Sequence, residues 1–345
     1  MEELEMDVEE KIPSFVLNAA VLEVLDQSHD AAVVSEQTLN IEDPLIEKYV
    51  TRHVKKAIRD MRARNGVFLE DSIFVRYVKE YAEKTVDLVM LAQNAIGEMR
   101  TFLEEEKVYS YDVLVADIRY EEVPYVVLIL LETQSAYTHY TTEINGVICN
   151  QIMQHHDVLP SGQKKIDAFA LIDLLDLSVK YADDTKVYKD GTALMQDVVL
   201  HCTSAPSSQE VIETVTNIVM DVAKEHEADP AMLLPKVKQY IRETSAEEKP
   251  LVASQAAEEL FADDERMYAS FMQKTKEAEL PEETEIPQKV IGRKLKNQKI
   301  RTDTGIELSF PVEYFNDPDK IRFINEEDGS ISIQIHHIGK IMPRQ

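Results

Sequence analysis

The chain has 345 residues and a formal net charge of −27, from 64 Asp and Glu against 37 Lys and Arg. A chain of this length exceeds the size at which a single core stops growing, so we expect two or three structural units. The acidic excess repels polyanions at long range, which excludes a protein that coats nucleic acid with its whole surface. Two cysteines, Cys149 and Cys202, are too few for a disulfide framework and predict a reducing, cytoplasmic setting.

Neither export nor membrane insertion is expected from the sequence. The opening residues, MEELEMDVEEK, are acidic where a secretory signal would be basic and then apolar. The longest apolar run, Val123 to Leu131, falls short of the about 20 residues that cross a bilayer. We therefore predict no membrane partner.

The N-terminal part predicts helices beside the start of a sheet. Residues Phe15 to Leu25 suit a buried strand or a short helix, of which we favour the strand. Asp43 and Pro44 resemble an N-cap followed by proline at the first helical position, and the helix is expected to run to about Arg64, before Asn65-Gly66. Residues 70–104 predict one or two further helices, which together with the first would cover one face of the sheet.

The middle of the chain is rich in β-branched and aromatic residues and predicts the sheet itself. Tyr111 to Ile118 and Val123 to Thr133, joined by a short polar link, indicate a hairpin. The second strand is apolar on both faces and is therefore expected at the centre, covered by helices. Residues 136–149 would continue the sheet and Ile166 to Val179 would add a strand. The predicted fold class is α+β, with a mixed, mainly antiparallel central sheet.

From Ser207 the sequence predicts a helical segment. Ser207 and Glu210 have capping-box spacing, Asp229-Pro230 begins a second helix, and a third is expected from about Val252 to Lys276. The acidic stretch Glu277 to Glu285 is typical of a linker.

Beyond the linker, alternating apolar residues and turn signals predict a β-meander of three or four strands. We therefore expect an N-terminal α+β domain at 1–205, a helical segment at 206–280, and a basic junction with the meander at 281–345.

Motifs for cofactor or metal chemistry are missing from the sequence. No two glycines form G-x-G, and no GxxxxGK[ST] loop is present, so the backbone cradles for phosphates are lacking. Cys149 near His155-His156 has no supporting CxxC pair, and partly buried structural residues are the favoured interpretation. We predict no cofactor, no metal and no enzymatic activity.

One enzymatic alternative stays open. Asp117 and Glu132 end two neighbouring predicted strands, as paired carboxylates in metal-dependent nucleases do. The lysine expected two residues after the second carboxylate is replaced by Gln134. Solvent-facing acids at strand ends are therefore the favoured interpretation.

Two basic stretches stand out in this acidic chain. The window QKVIGRKLKNQKIRT, residues 288–302, contains six cations and no acid: Lys289, Arg293, Lys294, Lys296, Lys299 and Arg301. Its interleaved apolar residues can pack while the cations face outward, and without an aromatic platform it suits contact with a nucleic-acid backbone rather than base reading. A basic surface beside the acidic linker is the alternative.

A second set of cations recurs at helical spacing opposite the apolar face of the first predicted helix: Arg52, Lys55, Arg59 and Arg62. This stripe would suit phosphates, an anionic membrane surface or an acidic partner helix. An ordinary solvated helix face is the alternative.

Four segments together resemble a known family. They are AVLEVLDQSHDAAVVSEQTLNI, VLVADIRYEEVPYVVLILL, KIDAFALIDLLDLSVKY and the C-terminal KIRTDTGIELSFPVEYFNDPDKIRFINEEDGSISI. In this order they resemble the 37-kDa nucleoid-associated bacterial proteins, the NdpA-like family, over residues 17–338. The resemblance implies a bacterial cytoplasmic protein found with the nucleoid, and it carries no catalytic residues over to this chain.

The leading hypothesis is therefore a non-enzymatic nucleoid-associated protein that contacts DNA through a limited basic surface, or reaches the nucleoid through a protein partner, with a homodimer expected. The alternatives are an interaction scaffold without DNA affinity and a metal-dependent nuclease.

Overall fold

The computed structural model describes residues 14–26, 34–103, 110–185, 191–286, 293–315, 317–326 and 330–340. The chain divides into two compact units, Met1–Ala205 and Pro206–Gln345. The boundary expected after residue 280 lies inside the second unit and stays a prediction. In the described part of the chain, no helix combines the length and apolarity needed to cross a membrane.

The first unit is built on a six-stranded sheet with the order β1-β3-β4-β7-β8-β2. Its strands are β1 (Phe15–Asp26), β2 (Arg64–Val67), β3 (Ser110–Tyr120), β4 (Val123–Glu132), β7 (Ala168–Asp173) and β8 (Ser178–Asp183). Every neighbouring pair in this sheet is antiparallel. The predicted α+β class and the β3–β4 hairpin are confirmed.

Helices cover both faces of the sheet. They are α1 (Pro44–Ile58), α2 (Phe74–Ala82) and α3 (Leu88–Leu103). Val50 and Val54 of α1 pack on one face, in the same cluster as Ile129 of β4. Leu91 and Ile96 of α3 pack in the cluster of the other face. The expectation that the first helices share one face was wrong: β4 is apolar on both sides, and each side requires its own cover.

Helix α1 is shorter than expected and is followed by a strand. It ends at Ile58, with Arg59 as its C-cap, and Arg64–Val67 forms the edge strand β2 against β8. A Cβ on Gly66 would lie 2.4 Å from the carbonyl oxygen of Thr203. The Asn-Gly pair thus permits a close backbone approach within a strand, and does not end a helix.

Residues predicted to extend the central sheet instead form a separate hairpin. Strands β5 (Gln134–Ile144) and β6 (Val147–Val158) pair with each other in a two-stranded sheet of their own. Asn145 and Gly146 connect them with φ of 53° and 78°, as in the two-residue turns that fit strand twist. We call Gln134–Val158 the ribbon. The single strand expected between Ile166 and Val179 also proved to be the pair β7 and β8.

The second unit contains helices followed by short hairpins. Its elements are α4 (Ser208–Glu225), α5 (Pro230–Ala246), β9 (Leu251–Val252), α6 (Ala253–Phe261), α7 (Glu265–Glu277), β10 (Glu283–Thr284), α8 (Arg293–Lys296), β11 (Asn297–Arg301), β12 (Glu307–Pro311), β13 (Ile321–Asn325) and β14 (Ile331–Ile335). The capping box of Ser207 and Glu210 is confirmed, and so is the N-cap of Asp229.

Two expectations for this unit are corrected. The long helix expected to Lys276 is two helices, because Asp264 caps a new one through the backbone N–H groups of Arg266 and Met267. The expected linker contributes β10, which pairs with β9. The four C-terminal strands form two separate hairpins, β11–β12 and β13–β14, around Phe310, Phe315 and Ile321.

Candidate nucleic-acid interface

The first group of cations lies along the C-terminal half of α1. Asp43 begins this helix by accepting a hydrogen bond from the Leu45 backbone N–H at 2.8 Å. Val50, Val54 and Ala57 are buried, so the basic positions between them face outward or sideways. Lys55 in the last turn is favourably placed against the negative end of the helix dipole.

The cations of this stripe differ in how they are engaged. The Lys55 ammonium lies 4.6 Å from the centre of the Phe15 ring. Arg52 and Arg59 are exposed, and within the described residues neither has an ion-pair partner. Arg59 lies just beyond the last helical residue, because it is the C-cap of α1. We call three of the four cations of the expected stripe the α1 surface: Arg52, Lys55 and Arg59.

Arg62, by contrast, is part of the internal structure. Its guanidinium donates to Asp60 at 2.6 Å, to the backbone carbonyl oxygen of Ile166 at 2.9 Å and to Asp184. Burial alone would lower the pKa of Arg62, but the two carboxylates raise it above its ordinary value. This side chain holds α1 against the sheet, since Asp184 directly follows β8. We therefore leave it out of the α1 surface.

Lys56 of α1, which the sequence analysis did not single out, binds the segment between β6 and β7. The Lys56 ammonium donates to the backbone carbonyl oxygens of Gly162, Gln163 and Lys164. Burial lowers the pKa of Lys56 from its ordinary value. No sequence motif signals this role, because the three carbonyl oxygens lie more than 100 positions away in the chain.

The second group of cations lies on α8 and β11. Lys289 falls outside the described residues, and so do the side chains of Arg293 and Lys294, although these two begin α8. Lys296 and Lys299 are exposed and lack an ion-pair partner among the described residues. Arg301 approaches Glu307 at 3.9 Å, with both side chains three-quarters exposed, so this pair is weak.

Alternation along β11 fixes which residues of this group face outward. Gln298 is only 2% exposed, and its Oε1 accepts a hydrogen bond from the Lys238 ammonium at 3.0 Å. Burial lowers the pKa of Lys238. Since successive strand residues point to opposite faces, the inward Gln298 places Lys299 and Arg301 together on the outer face. We call Lys296, Lys299 and Arg301 the β11 surface.

A family model described as nucleoid-associated protein YejK matches residues 21–342, nearly the whole chain. The chain belongs to the nucleoid-associated protein YejK family. This confirms the resemblance drawn from the four sequence segments. A comparison with curated proteins returned no match.

Membership of the YejK family makes the two surfaces candidates for nucleic-acid contact. They belong to different units. On both, the cations project from ordered secondary structure in a chain of charge −27, so any attraction for a polyanion is local, within roughly one Debye length of about 8 Å.

The structure does not bring the candidate nuclease carboxylates together. Asp117 pairs in register with Val126, whereas Glu132 pairs with Tyr111 at the other end of the hairpin. Six residues of strand separate the two positions, a distance of about 20 Å. Asp117 accepts hydrogen bonds from Asn18 and Tyr81, and Glu132 pairs with Lys164 at 2.6 Å. Nuclease activity stays a prediction without support from this pair.

The thiol and imidazole groups of the ribbon are likewise separate. Cys149 pairs in register with Thr142, and His155 pairs with Ala136, six positions along the same strand. The His155 Nε2 lies 3.2 Å from the Thr138 hydroxyl. Among the described residues, no group of three or more His, Cys, Asp or Glu side chains is arranged to hold a metal ion.

Proposed function

We propose that this nucleoid-associated protein contacts the DNA backbone directly, without reading base sequence, through the β11 surface. The observation that carries the proposal is the pair Lys296 and Lys299: both are exposed, they lie on one continuous α8–β11 segment, and no carboxylate neutralises them among the described residues. Free ammonium groups on ordered backbone release counterions from phosphates without first breaking an ion pair.

The acidic remainder of the chain limits this contact and supports a local, non-specific mode. Repulsion from the net charge of −27 opposes any wide wrapping of the duplex. No aromatic side chain lies among residues 293–301 to stack on bases. The contact is therefore expected to be salt-dependent and indifferent to base sequence.

The test is a fluorescence-anisotropy titration of labelled duplexes of unrelated sequence over a range of salt concentrations. The variant Lys296→Glu/Lys299→Glu is expected to bind more weakly, and its log-log salt slope should become shallower by about 1.8, or 0.9 per lost phosphate contact. The matched control is Lys236→Glu/Lys276→Glu, two exposed lysines on α5 and α7 with the same change of net charge. Equal loss in both double variants would assign the effect to net charge and overturn the proposal.

The α1 surface is the second candidate for the same function, favoured by the exposed guanidinium groups of Arg52 and Arg59, which have no ion-pair partner in the part of the chain that the structure describes. The double variant Arg52→Glu/Arg59→Glu is to be titrated in parallel. Binding lost only in this variant would move the contact to the first unit. If the wild-type protein does not bind duplex DNA even at low salt, and a protein partner co-purifies with it, the interaction scaffold would be favoured instead.

Non-enzymatic action is part of the proposal and has its own assay. Supercoiled plasmid incubated with the protein and Mg²⁺ or Mn²⁺ should stay intact. Metal-dependent nicking that survives in the variant Asp117→Asn/Glu132→Gln would show a nuclease centre elsewhere in the chain.

A further inference from the structure

Three aromatic side chains lie side by side at one end of the six-stranded sheet, on the face that α1 covers. Phe15 of β1 pairs in register with Tyr120 of β3, so the two side chains share a face. Tyr125 of β4 pairs with Ile118, which is two positions from Tyr120 and therefore points the same way. All three rings pack against the buried cluster of this face and stay partly exposed. We call Phe15, Tyr120 and Tyr125 the aromatic platform.

Cations of α1 border the aromatic platform. The Lys55 ammonium lies over the Phe15 ring, 4.6 Å from its centre. Arg59 is exposed and lies near Tyr120: burial raises the pKa of the Tyr120 hydroxyl, Glu121 raises it further, and the positive charge of Arg59 opposes both. The platform therefore has positive charge on its helix side, and a carboxylate in the turn beyond the strands.

This combination of rings and cations differs from the β11 surface, where residues 293–301 contain no aromatic side chain. Stacking of bases on aromatic rings adds affinity to that of the phosphate contacts, and every base has a face that can stack. Aromatic side chains on the face of an antiparallel sheet hold two or three bases in RNA-recognition modules. The bases of a duplex are stacked on one another inside the double helix, where rings partly buried in a sheet do not reach them. The aromatic platform thus fits unstacked bases.

We propose that the aromatic platform and the adjoining cations Lys55 and Arg59 bind single-stranded DNA, with bases stacked on the rings and phosphates towards α1. DNA is the expected strand because the chain belongs to a nucleoid-associated family. Repulsion by the Glu121 carboxylate keeps phosphates away from the opposite border, which determines the side on which the backbone of the strand runs. The site does not rest on the duplex contact through the β11 surface, so either proposal can fail alone.

The Lys55 side chain is placed to exchange one contact for two. At a partly exposed site, a cation–π pair contributes less than the stacking of a base on an aromatic ring. A base can therefore replace the ammonium over the Phe15 ring. The displaced ammonium then lies within reach of the phosphates of the same strand, where it releases counterions.

The test is a fluorescence-anisotropy titration of a labelled thymine oligonucleotide and, in parallel, of a labelled duplex. The ring variant is Phe15→Leu/Tyr120→Leu, because leucine keeps apolar contacts with the cluster and removes the aromatic faces. Its affinity for the oligonucleotide is expected to fall about twenty-five-fold or more, since two stacking contacts of about fivefold each are lost. Its affinity for the duplex is expected to stay unchanged. Circular dichroism and thermal unfolding verify that the variant is folded.

Two control variants make the result specific to the aromatic platform. Tyr77→Leu/Tyr314→Leu removes two other accessible rings, of which Tyr77 lies 5.0 Å from the Arg76 guanidinium, and should bind the oligonucleotide like the wild type. The β11 variant Lys296→Glu/Lys299→Glu should weaken oligonucleotide binding no more than its charge-matched control on α5 and α7. Equal losses of duplex and oligonucleotide affinity in the ring variant would indicate a backbone contact without stacking and overturn the proposal.

A second measurement uses the unaltered protein. A single-stranded oligonucleotide that contains iodouracil is irradiated in complex with the wild-type chain, and the crosslinked peptides are identified by mass spectrometry. Crosslinks are expected at Phe15, Tyr120 or Tyr125. Crosslinks confined to other residues, absence of oligonucleotide binding at low salt, or full affinity in the ring variant would overturn the proposal. Tighter binding of a uridine oligoribonucleotide than of the thymine oligonucleotide would overturn the assignment to DNA.

Discussion

Strands β4 and β5 follow one another in the chain with one residue between them, yet they have opposite environments. From Val126 to Leu131, every residue of β4 is buried, whereas no residue of β5 is. Both segments are rich in residues that favour strands. The six-stranded sheet and the ribbon thus share the same strand propensity. They differ in burial because helices cover both faces of the sheet.

The two cysteines give the largest expected difference between these regions. Cys149 lies on the ribbon, whereas Cys202 is buried in the cluster on one face of the six-stranded sheet. Burial raises the pKa of the Cys202 thiol to about 12. At pH 8 a thiol with that pKa is ionised in about one molecule in ten thousand. We expect one thiol per chain to react rapidly with a disulfide reagent in the native protein, and the second only after unfolding in urea. The variant Cys149→Ser should lose the rapid phase, and two rapid phases in the wild type would contradict the assignment.

Salt should act on the basic surfaces rather than on the ribbon, because residues 134–158 contain no Lys or Arg. If the three cations of the β11 surface contact phosphates, DNA affinity should fall about fortyfold between 50 and 200 mM salt. Fluorescence anisotropy measured over this range of salt tests the trend. An affinity that stays constant over the range would contradict contact with phosphates.

The same substitution, isoleucine to alanine, made in both regions measures what burial contributes to the free energy of unfolding. Ile129 of β4 is fully buried and Ile152 of β6 is 79% exposed. Ile129→Ala should lower the free energy of unfolding by about 2–5 kcal/mol, because it leaves a cavity in a packed cluster. Ile152→Ala should change it by no more than about 0.5 kcal/mol, because this side chain is already exposed. Urea unfolding followed by circular dichroism compares them, and similar costs would show that the ribbon is packed within one chain.

The smallest expected effect distinguishes Arg62, which pairs with Asp60 and Asp184, from Arg59, which has no ion-pair partner among the described residues. Arg62→Ala should cost about 1–2 kcal/mol of stability, reduced for the partial exposure of Asp184, and Arg59→Ala no more than about 0.5 kcal/mol. Although burial opposes it, Lys165 and Arg62 hold the pKa of Asp184 below its ordinary value. A depressed carboxyl pKa stabilises the fold above the unfolded pKa and loses that contribution on acidification. The Arg62→Ala cost should therefore be full near pH 7 and shrink below about pH 4, as urea titrations at several pH values would show.

Local chemistry predicted most of the elements. The capping box at Ser207 and the N-caps at Asp43 and Asp229 determine helix starts through contacts within three residues, and all were visible in the sequence. The Asn145-Gly146 pair is a hairpin signal that the sequence analysis missed, because alternation alone assigned residues 136–149 to the central sheet. The end of α1 was misplaced because β2 forms only when β8 offers an edge.

The candidate surfaces were predictable only as lists of cations. The sequence determined the acidic background, the basic window and the family, because each depends on composition or on the order of segments. The tertiary structure decided that Arg62 is tied to Asp60 and Asp184, that Gln298 turns Lys299 outward, and that the ribbon stands apart from the sheet. These outcomes depend on partners far away in the chain, and a sequence read locally contains no distances between such residues.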